Sequence, residues 1–357
     1  MNSETKTGIL DSIESALADI KAGKIVIVVD DEDRENEGDF ITAAENVTPE
    51  IINFMSKEGR GLICAALTME RCKSLELDLM VTHNTDPNKT AFTVSVDLLG
   101  HGCTTGISAH DRSKTINALV DEKTQARDLA RPGHIFPLIA KDEGVLRRPG
   151  HTEATIDLAR LAGFKPAGVL VEIMNEDGSM ARLPELIDIA KKHQLKIISI
   201  QDLIAYRLQS EKLITAIGQE SFPTIWGDLT KHTFRQVISG EEHFALIKGS
   251  WNETEEVAVR VHSGHLESDL LQMIQDPNQN TLSKGIQTIC SMEKGALVYM
   301  HSNHAIKNQP MDNRDYGTGA QIIRALGIRK VNLLTQNPVK RSGLNGYGIE
   351  ITKYTSY

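Results

Sequence analysis

Cysteine is scarce. Cys64, Cys72, Cys103 and Cys290 are the four in 357 residues, and no two stand in a C-x-x-C pair. So few in so long a chain exclude a disulfide-built secreted scaffold and predict reduced thiols. Long apolar runs are missing too, and no stretch approaches the roughly 18 residues of a membrane helix. The first ten residues, MNSETKTGIL, hold neither a basic cluster nor an apolar run. No leader and no membrane partner are therefore expected, and a cytoplasmic location is. Positive charge is in deficit, with 48 acidic against 39 basic residues and a net charge of −9. Nucleic acid is not an expected partner, and an anionic substrate would need a local basic pocket.

What the chain does have is an ordinary globular balance, 40% apolar and 24% charged, and length enough for two cores. Two domains are expected, residues 1–210 and a smaller one at 215–357, joined by a connector within LQSEKLITAIGQES at 208–221. Ile9, Leu10, Ile13, Ala16, Leu17 and Ile20 recur at helical spacing up to Gly23, and a strand Ile25–Val29 follows. Thr48 and Pro49 have the form of an N-cap with proline in the first turn of a helix. GLICAAL and FTVSVDL read as strands, the first buried and the second half exposed. Two polar, glycine-bearing loops precede helices, GHGCTTGISAHDRS at 100–113 and LRRPGH at 146–151. Helix N-termini behind such loops are ready anion sites. Strands and helices then alternate to about residue 209, which predicts an α/β fold with a mixed α+β sheet. EEVAVRVHS, GALVYMHS, GTGAQIIRALGI and KVNLLTQNP predict a smaller α+β domain behind it.

Chemistry concentrates in a few places. In KIVIVVDDEDRENEGDF, Lys24 to Phe40, five apolar residues run into six carboxylates within the eight positions Asp30 to Glu37. Such a run is ordinarily a solvated turn. Here it follows an apolar strand, at the usual ligand edge of an open α/β sheet, and Arg34 offers a fork for a sugar or phosphate oxygen. A hard divalent cation keeps several waters and needs only one or two protein ligands. His151 is a second ligand candidate, opening a helix beside Thr152 with Arg147, Arg148 and Gly150 upstream, the parts that hold a phosphate dianion. Glu172 lies in the apolar strand GVLVEIM, where burial is expected to raise its pKa towards neutrality and fit it for proton transfer. An outward-facing glutamate is the plainer alternative. Cys64 in GLICAAL reads as a small core residue rather than a nucleophile.

VVDDEDRENEGDF, TAFTVSVD, TTGISAHDRSKTI, PGHIFPL, RPGHTEATIDLARLAG and EIMNEDGSMAR, in that order, resemble 3,4-dihydroxy-2-butanone-4-phosphate synthase over residues from about 9 to 207. The resemblance implies conversion of D-ribulose 5-phosphate to the four-carbon phosphate and formate, with Mg2+ or Mn2+, two ions to a site, at a homodimer interface. It implies Glu35 and His151 as metal ligands and Arg34, Glu35 and Asp39 on the substrate. Arg148, Pro149, Gly150, His151 and Thr152 are implied around its phosphate end, and Glu172 as an acid/base residue. Thr105, His134 and Cys64 are further implied members. Such a reaction moves protons beside oxygens that gain negative charge, which a metal and loop carboxylates can serve. With the metal assigned to Glu35 among the six carboxylates, Glu35→Gln is expected to abolish turnover and Asp30→Asn to be milder.

The second half resembles GTP cyclohydrolase II but departs from it where its chemistry resides. RVHSGHLESDL stands where that family has R-V-H-S-E-C, so His265 replaces the first zinc cysteine and Gly264 the glutamate. QMIQDPNQNTLSKG has no cysteine where the family has R-C-D-C-G, and only Cys290 remains in this half. A three-thiolate site cannot form, and no Zn2+ is expected. Asp312, Arg314, Thr335 and Lys340 are retained at the family's catalytic and nucleotide positions, consistent with weak GTP binding. His262, His265, His301 and His304, in two H-x-x-H pairs, are the alternative metal set. An inactive relic that stabilises or pairs the synthase leads the expectations. A bifunctional enzyme or a nucleotide-binding regulatory module competes with it, as does a phosphosugar isomerase or aldolase for the first half.

Overall fold

A computed structural model describes residues 10–32, 34–237, 240–264, 266–275, 280–301, 313–335 and 349–356. It divides into two compact units, Met1–Tyr206 and Arg207–Tyr357. In the first, strands β1 (Val26–Val29), β2 (Gly38–Ala43), β3 (Cys64–Leu67), β4 (Val96–Leu98), β5 (Leu129–Ile139), β6 (Gly168–Glu172) and β7 (Lys196–Ser199) make one sheet. Its order is β4-β5-β3-β6-β2-β1-β7, with parallel and antiparallel pairs mixed.

The apolar run of β1 is continuous because both faces of the sheet are covered. Val26 and Val28 pack with α1 (Ile13–Lys21), α5 (His151–Leu161) and α7 (Ile200–Ser210). Ile27 and Val29 point the other way, into the core beneath α2 (Pro49–Phe54), α3 (Met69–Ser74), α4 (Ala109–Val120) and α6 (Leu183–His193). The first helix starts at Ile13 rather than at residue 9, because Ser12 caps it by accepting from the Ser15 amide. Thr48 caps α2 in the same way, with Pro49 as its first residue. In β2 the period of two sends Phe40 to one core and Ile41 and Ala43 to the other. Asp39 therefore falls on the face that carries α5.

Two expectations are corrected. FTVSVDL is a strand only over Val96–Leu98, with single bridges at Phe92 and Thr93 and a register shift after Val96. The connector is overturned as well. α7 runs to Ser210, and Ile214–Thr224 form strand β8, exposed at nearly every position. An edge strand that buries no face shows no period in its sequence.

In the second unit, β8 is followed by β9 (Gly227–Gln236), β10 (Glu242–Lys248), β11 (Glu256–Gly264), β12 (Gly295–His301), β13 (Lys330–Leu334) and β14 (Glu350–Thr355). These form a second mixed sheet, β14-β13-β11-β12-β10-β9-β8, accompanied by α8 (Leu266–Gln275), α9 (Thr281–Ser291) and α10 (Asn313–Ala325). Among the described residues of the chain, no helix is long and apolar enough to cross a membrane.

Candidate active site

Strand direction gathers the candidate residues at one edge of the first sheet. β1 ends and β2 begins there, Val29 opposite Gly38. β6 ends there with Glu172 opposite Asp39, and β3 begins there with Cys64 opposite Leu170. The N-terminus of α5 meets the same edge, where His151 Nε2 donates to the Val28 carbonyl at 3.1 Å. A carbonyl only accepts, so that nitrogen carries the proton and Nδ1 faces the acidic loop.

The loop is organised from within by Asp30, whose side chain is fully buried. Asp30 Oδ2 accepts from Arg34 Nη1 at 2.8 Å and the Glu35 amide at 3.1 Å, and Oδ1 from the Glu37 amide at 2.8 Å. Arg34 Nη1 also donates to Glu35 Oε2 at 2.5 Å. Glu35 Oε1 accepts from Asn88 Nδ2 at 2.7 Å, a residue the sequence reading passed over. His151 Nδ1 lies 3.7 Å from Glu35 Oε2 and 3.9 Å from Asp39 Oδ1.

Electrostatics separate the two carboxylates. His151 beside its Oε2, with Arg34 paired to it, holds Glu35 down at about 2 against the opposing pull of burial. Asp39 is pushed up to about 7 by burial, which outweighs His151. Its Oδ1 is buried without a hydrogen-bond partner. Burial works against a charged His151, but Asp39 and Glu35 overcome it and raise the imidazole to about 9.

A hard divalent cation fits here. Asp30, Glu35 and His151 offer ligand atoms within 4.8 Å of one another, the one such cluster among the described residues. The Glu35 carboxylate and the His151 imidazole suit Mg2+ or Mn2+, with Asp30 beside them engaged in ordering the loop, and the orphaned Asp39 oxygen faces the same imidazole.

Glu172 differs from expectation. It ends β6 half-buried, and its Oε2 accepts from the Leu62 amide at 2.8 Å. A Cβ at Gly61 would lie 2.5 Å from that oxygen, so glycine makes the room. The carboxyl tuned by burial is Asp39. Cys64 is buried among core residues, and burial, with Glu172 and Asp39 nearby, pushes its thiol well above the ordinary range.

Arg148 is already engaged. Its Nη1 donates to the buried Glu153 at 2.7 Å, Nε and Nη2 to the Asn88 carbonyl at 3.2 and 3.1 Å, and Nη2 to Thr90 Oγ1 at 3.1 Å. Pro149 and Gly150 lead from it into α5, whose first turn holds the buried Thr152. The anion site expected in the 100–113 loop is filled by the chain itself. Asp111 Oδ2 accepts from the Thr104 amide at 3.0 Å, Thr104 Oγ1 at 2.8 Å and the Gly106 amide at 3.0 Å. Those bonds hold Asp111 at about 2.

Thr105 is exposed in this loop. Its neighbour Gly106 abuts Asp97, a second residue missed in the sequence, which accepts from His134 Nδ1 at 2.6 Å and the His134 amide at 2.9 Å. β3 and β6 lie between β5, which carries His134, and β2. Three strand spacings of about 4.8 Å put roughly 14 Å between His134 and Asp39. Within one chain His134 therefore stands several strands from Asp39.

In the second unit, His262 Nε2 donates to Asp269 at 3.1 Å, Tyr299 Oη donates to the same carboxylate at 2.7 Å, and the two rings stack at 5.4 Å. The His301 amide donates to His243 Nδ1 at 3.1 Å. Thr335 donates its amide to the Thr355 carbonyl at 3.0 Å. Arg314 belongs to α10. His265, His304, Asp312 and Lys340 lie outside the described residues.

The profile of 3,4-dihydroxy-2-butanone 4-phosphate synthase matches residues 14–206, and that of GTP cyclohydrolase II residues 215–309 and 303–356. The riboflavin biosynthesis protein RibBA of Cytophaga hutchinsonii is 58% identical over 96% of this chain and 91% of its own, and that of Aquifex aeolicus 48% identical over the same shares. Among solved structures, RibBX of A. baumannii, a two-domain 3,4-dihydroxy-2-butanone 4-phosphate synthase, is 39% identical with a TM-score of 0.78, over 97% of this chain and 99% of its own. A 3,4-dihydroxy-2-butanone 4-phosphate synthase solved with two magnesium ions is 44% identical with a TM-score of 0.54, over 56% of this chain and 98% of its own. The chain belongs to the 3,4-dihydroxy-2-butanone 4-phosphate synthase family, as a fusion of that domain with a GTP cyclohydrolase II-like second half.

Proposed function

We propose that the first unit converts D-ribulose 5-phosphate to L-3,4-dihydroxy-2-butanone 4-phosphate and formate, with Mg2+ or Mn2+ held by Glu35 and His151. The observation that carries this is the convergence of Asp30, Glu35 and His151 beside Asp39 at the sheet edge. The relative solved with two magnesium ions supports a divalent cation. When bound, the metal supplies charge stabilisation to adjacent sugar oxygens. Arg34 orients the sugar beside Glu35. Asp39, buried at the same sheet end with its Oδ1 towards His151, takes and returns protons. Glu172, across the strand pair, is the second proton carrier. The α5 N-terminus with Thr152 and Arg148 fixes the phosphate end and with it the register of the carbon chain. Thr105 and His134, on the β4–β5 side of the sheet, complete the site of a second copy in a homodimer.

We infer in addition that the second unit does not open GTP. One cysteine in residues 215–357 leaves no thiolate set for the zinc that activates the hydrolytic water. The A. baumannii relative spanning both halves is described as a two-domain synthase. Full-length protein given ribulose 5-phosphate and Mg2+ should release formate. No formate at saturating metal would refute the synthase assignment, as would a five-carbon or split-sugar product. Metal analysis and GTP turnover on the same preparation should show neither zinc nor product, and stoichiometric zinc with turnover would overturn the second inference.

A further inference from the structure

Glu35 stands on a loop between two strands, and Arg182 holds the loop backbone at the Glu35 and Asn36 carbonyls, so the carboxylate needs holds of its own. Arg34 grips Oε2 from within the loop. From elsewhere in the sequence the Asn88 carboxamide donates to Oε1 at 2.7 Å, while His151 Nδ1 stands 3.7 Å from Oε2.

Asn88 is itself well fixed for a surface residue. The segment 84–90 is tied across its base, with Asn84 Nδ2 donating to the Thr90 carbonyl at 2.9 Å, the Thr90 amide to Asp86 Oδ2 at 2.9 Å, and the Asp86 amide to Asn84 Oδ1 at 2.8 Å. From the other side Arg148 clasps the Asn88 carbonyl and the Thr90 hydroxyl while paired with buried Glu153. A chain of bonds thus runs from the first turn of α5 through Arg148 and Asn88 to Glu35.

We propose that Asn88 is a positioning residue for the metal ligand Glu35. It holds Oε1 so that Oε2 stays turned towards His151, and the Arg148 clasp transmits the order of the α5 end to the metal end. A donor behind a ligating carboxylate restricts its rotation and sets the direction of its free electron pairs, and loss of such partners typically weakens metal binding about 10- to 100-fold. The proposal rests on Glu35 being a ligand, and the experiment separates the two.

Mn2+ binding to the full-length protein, without substrate, is measured by electron paramagnetic resonance for the wild type, Asn88→Ala, Asn88→Leu and Glu35→Gln. Asn88→Leu keeps most of the volume and removes only the donor. Both Asn88 variants should raise the Mn2+ dissociation constant roughly tenfold or more. Their unfolding midpoints in EDTA should stay at the wild-type value, because the side chain is exposed. Wild-type affinity in both, with affinity lost in Glu35→Gln, overturns the positioning role alone. Wild-type affinity in Glu35→Gln removes Glu35 as a ligand, and the proposal with it.

Discussion

Asp30→Asn tests how the acidic loop is built. The wild-type carboxylate is buried and accepts three hydrogen bonds, from Arg34, the Glu35 amide and the Glu37 amide. Asparagine has one oxygen. If it keeps Arg34 and the Glu35 amide, its NH2 must face the Glu37 N–H, donor against donor. An unsatisfied buried donor costs about 1–3 kcal/mol, and a hydrogen bond to a charged partner is worth about 1.5–3 kcal/mol. The closed loop should lose roughly 3 kcal/mol against open forms, which lowers metal affinity by up to about a hundredfold. None of this removes a ligand held by Glu35 and His151. Formate release titrated with Mn2+ at saturating ribulose 5-phosphate should show a half-saturating concentration raised by tens of fold, with a plateau within a few fold of wild type. Glu35→Gln should give no plateau at any metal concentration. An Asp30→Asn plateau as low as that of Glu35→Gln would make Asp30 a ligand, and an unchanged half-saturation would mean that its carboxylate does not order the loop.

Gly150→Ala should destabilise the first unit. A Cβ there would lie 2.3 Å from Arg148 Nη1 and 2.9 Å from Glu153 Oε2. Parting that pair leaves a carboxylate 1% exposed with the Lys141 amide on its other oxygen, at a cost of roughly 1–3 kcal/mol, and an unchanged urea midpoint would refute the clash. Asp39 makes stability depend on pH. Its carboxyl, ordinarily at 3.8, stands at about 7 in the fold. Between about pH 4 and 6.5 the folded chain keeps a proton that the unfolded chain has lost, so stability falls as pH rises, by up to about 1.4 kcal/mol per unit. Asp39→Asn should remove that slope when midpoints are compared in EDTA, and parallel curves for the two proteins would disprove it.

The strand ending in the acidic run, the cap at Thr48 and the helix opened by His151 were all legible, because each is a local pattern of period or capping. The Asp39 environment was not. In sequence it is one more acid after a glycine, and its burial follows from its place in β2 between β1 and β6. The setting of Glu172 was hidden for the converse reason, since four apolar neighbours do not reveal that the strand stops there with the carboxylate on the Leu62 amide. Asp97 and Asn88 act through partners 37 and 53 positions away, and no spacing rule reaches that far. β5 was hidden by Pro132, Gly133 and Pro137, which interrupt its apolar pattern.

The acidic loop joins two neighbouring antiparallel strands, and Val29 opposite Gly38 closes its stem. Arg34, Glu35 and Asn88 belong to neither apolar core. Affinity for the ion and endurance of the fold are thus separable properties of the chain. Substitution at 35 should silence the enzyme and substitution at 88 should weaken its hold on the ion, each leaving a well-folded protein, whereas changes such as Phe40→Ala should unfold it without touching a ligand. A damaged variant can therefore be sorted by one melting curve before any turnover is measured.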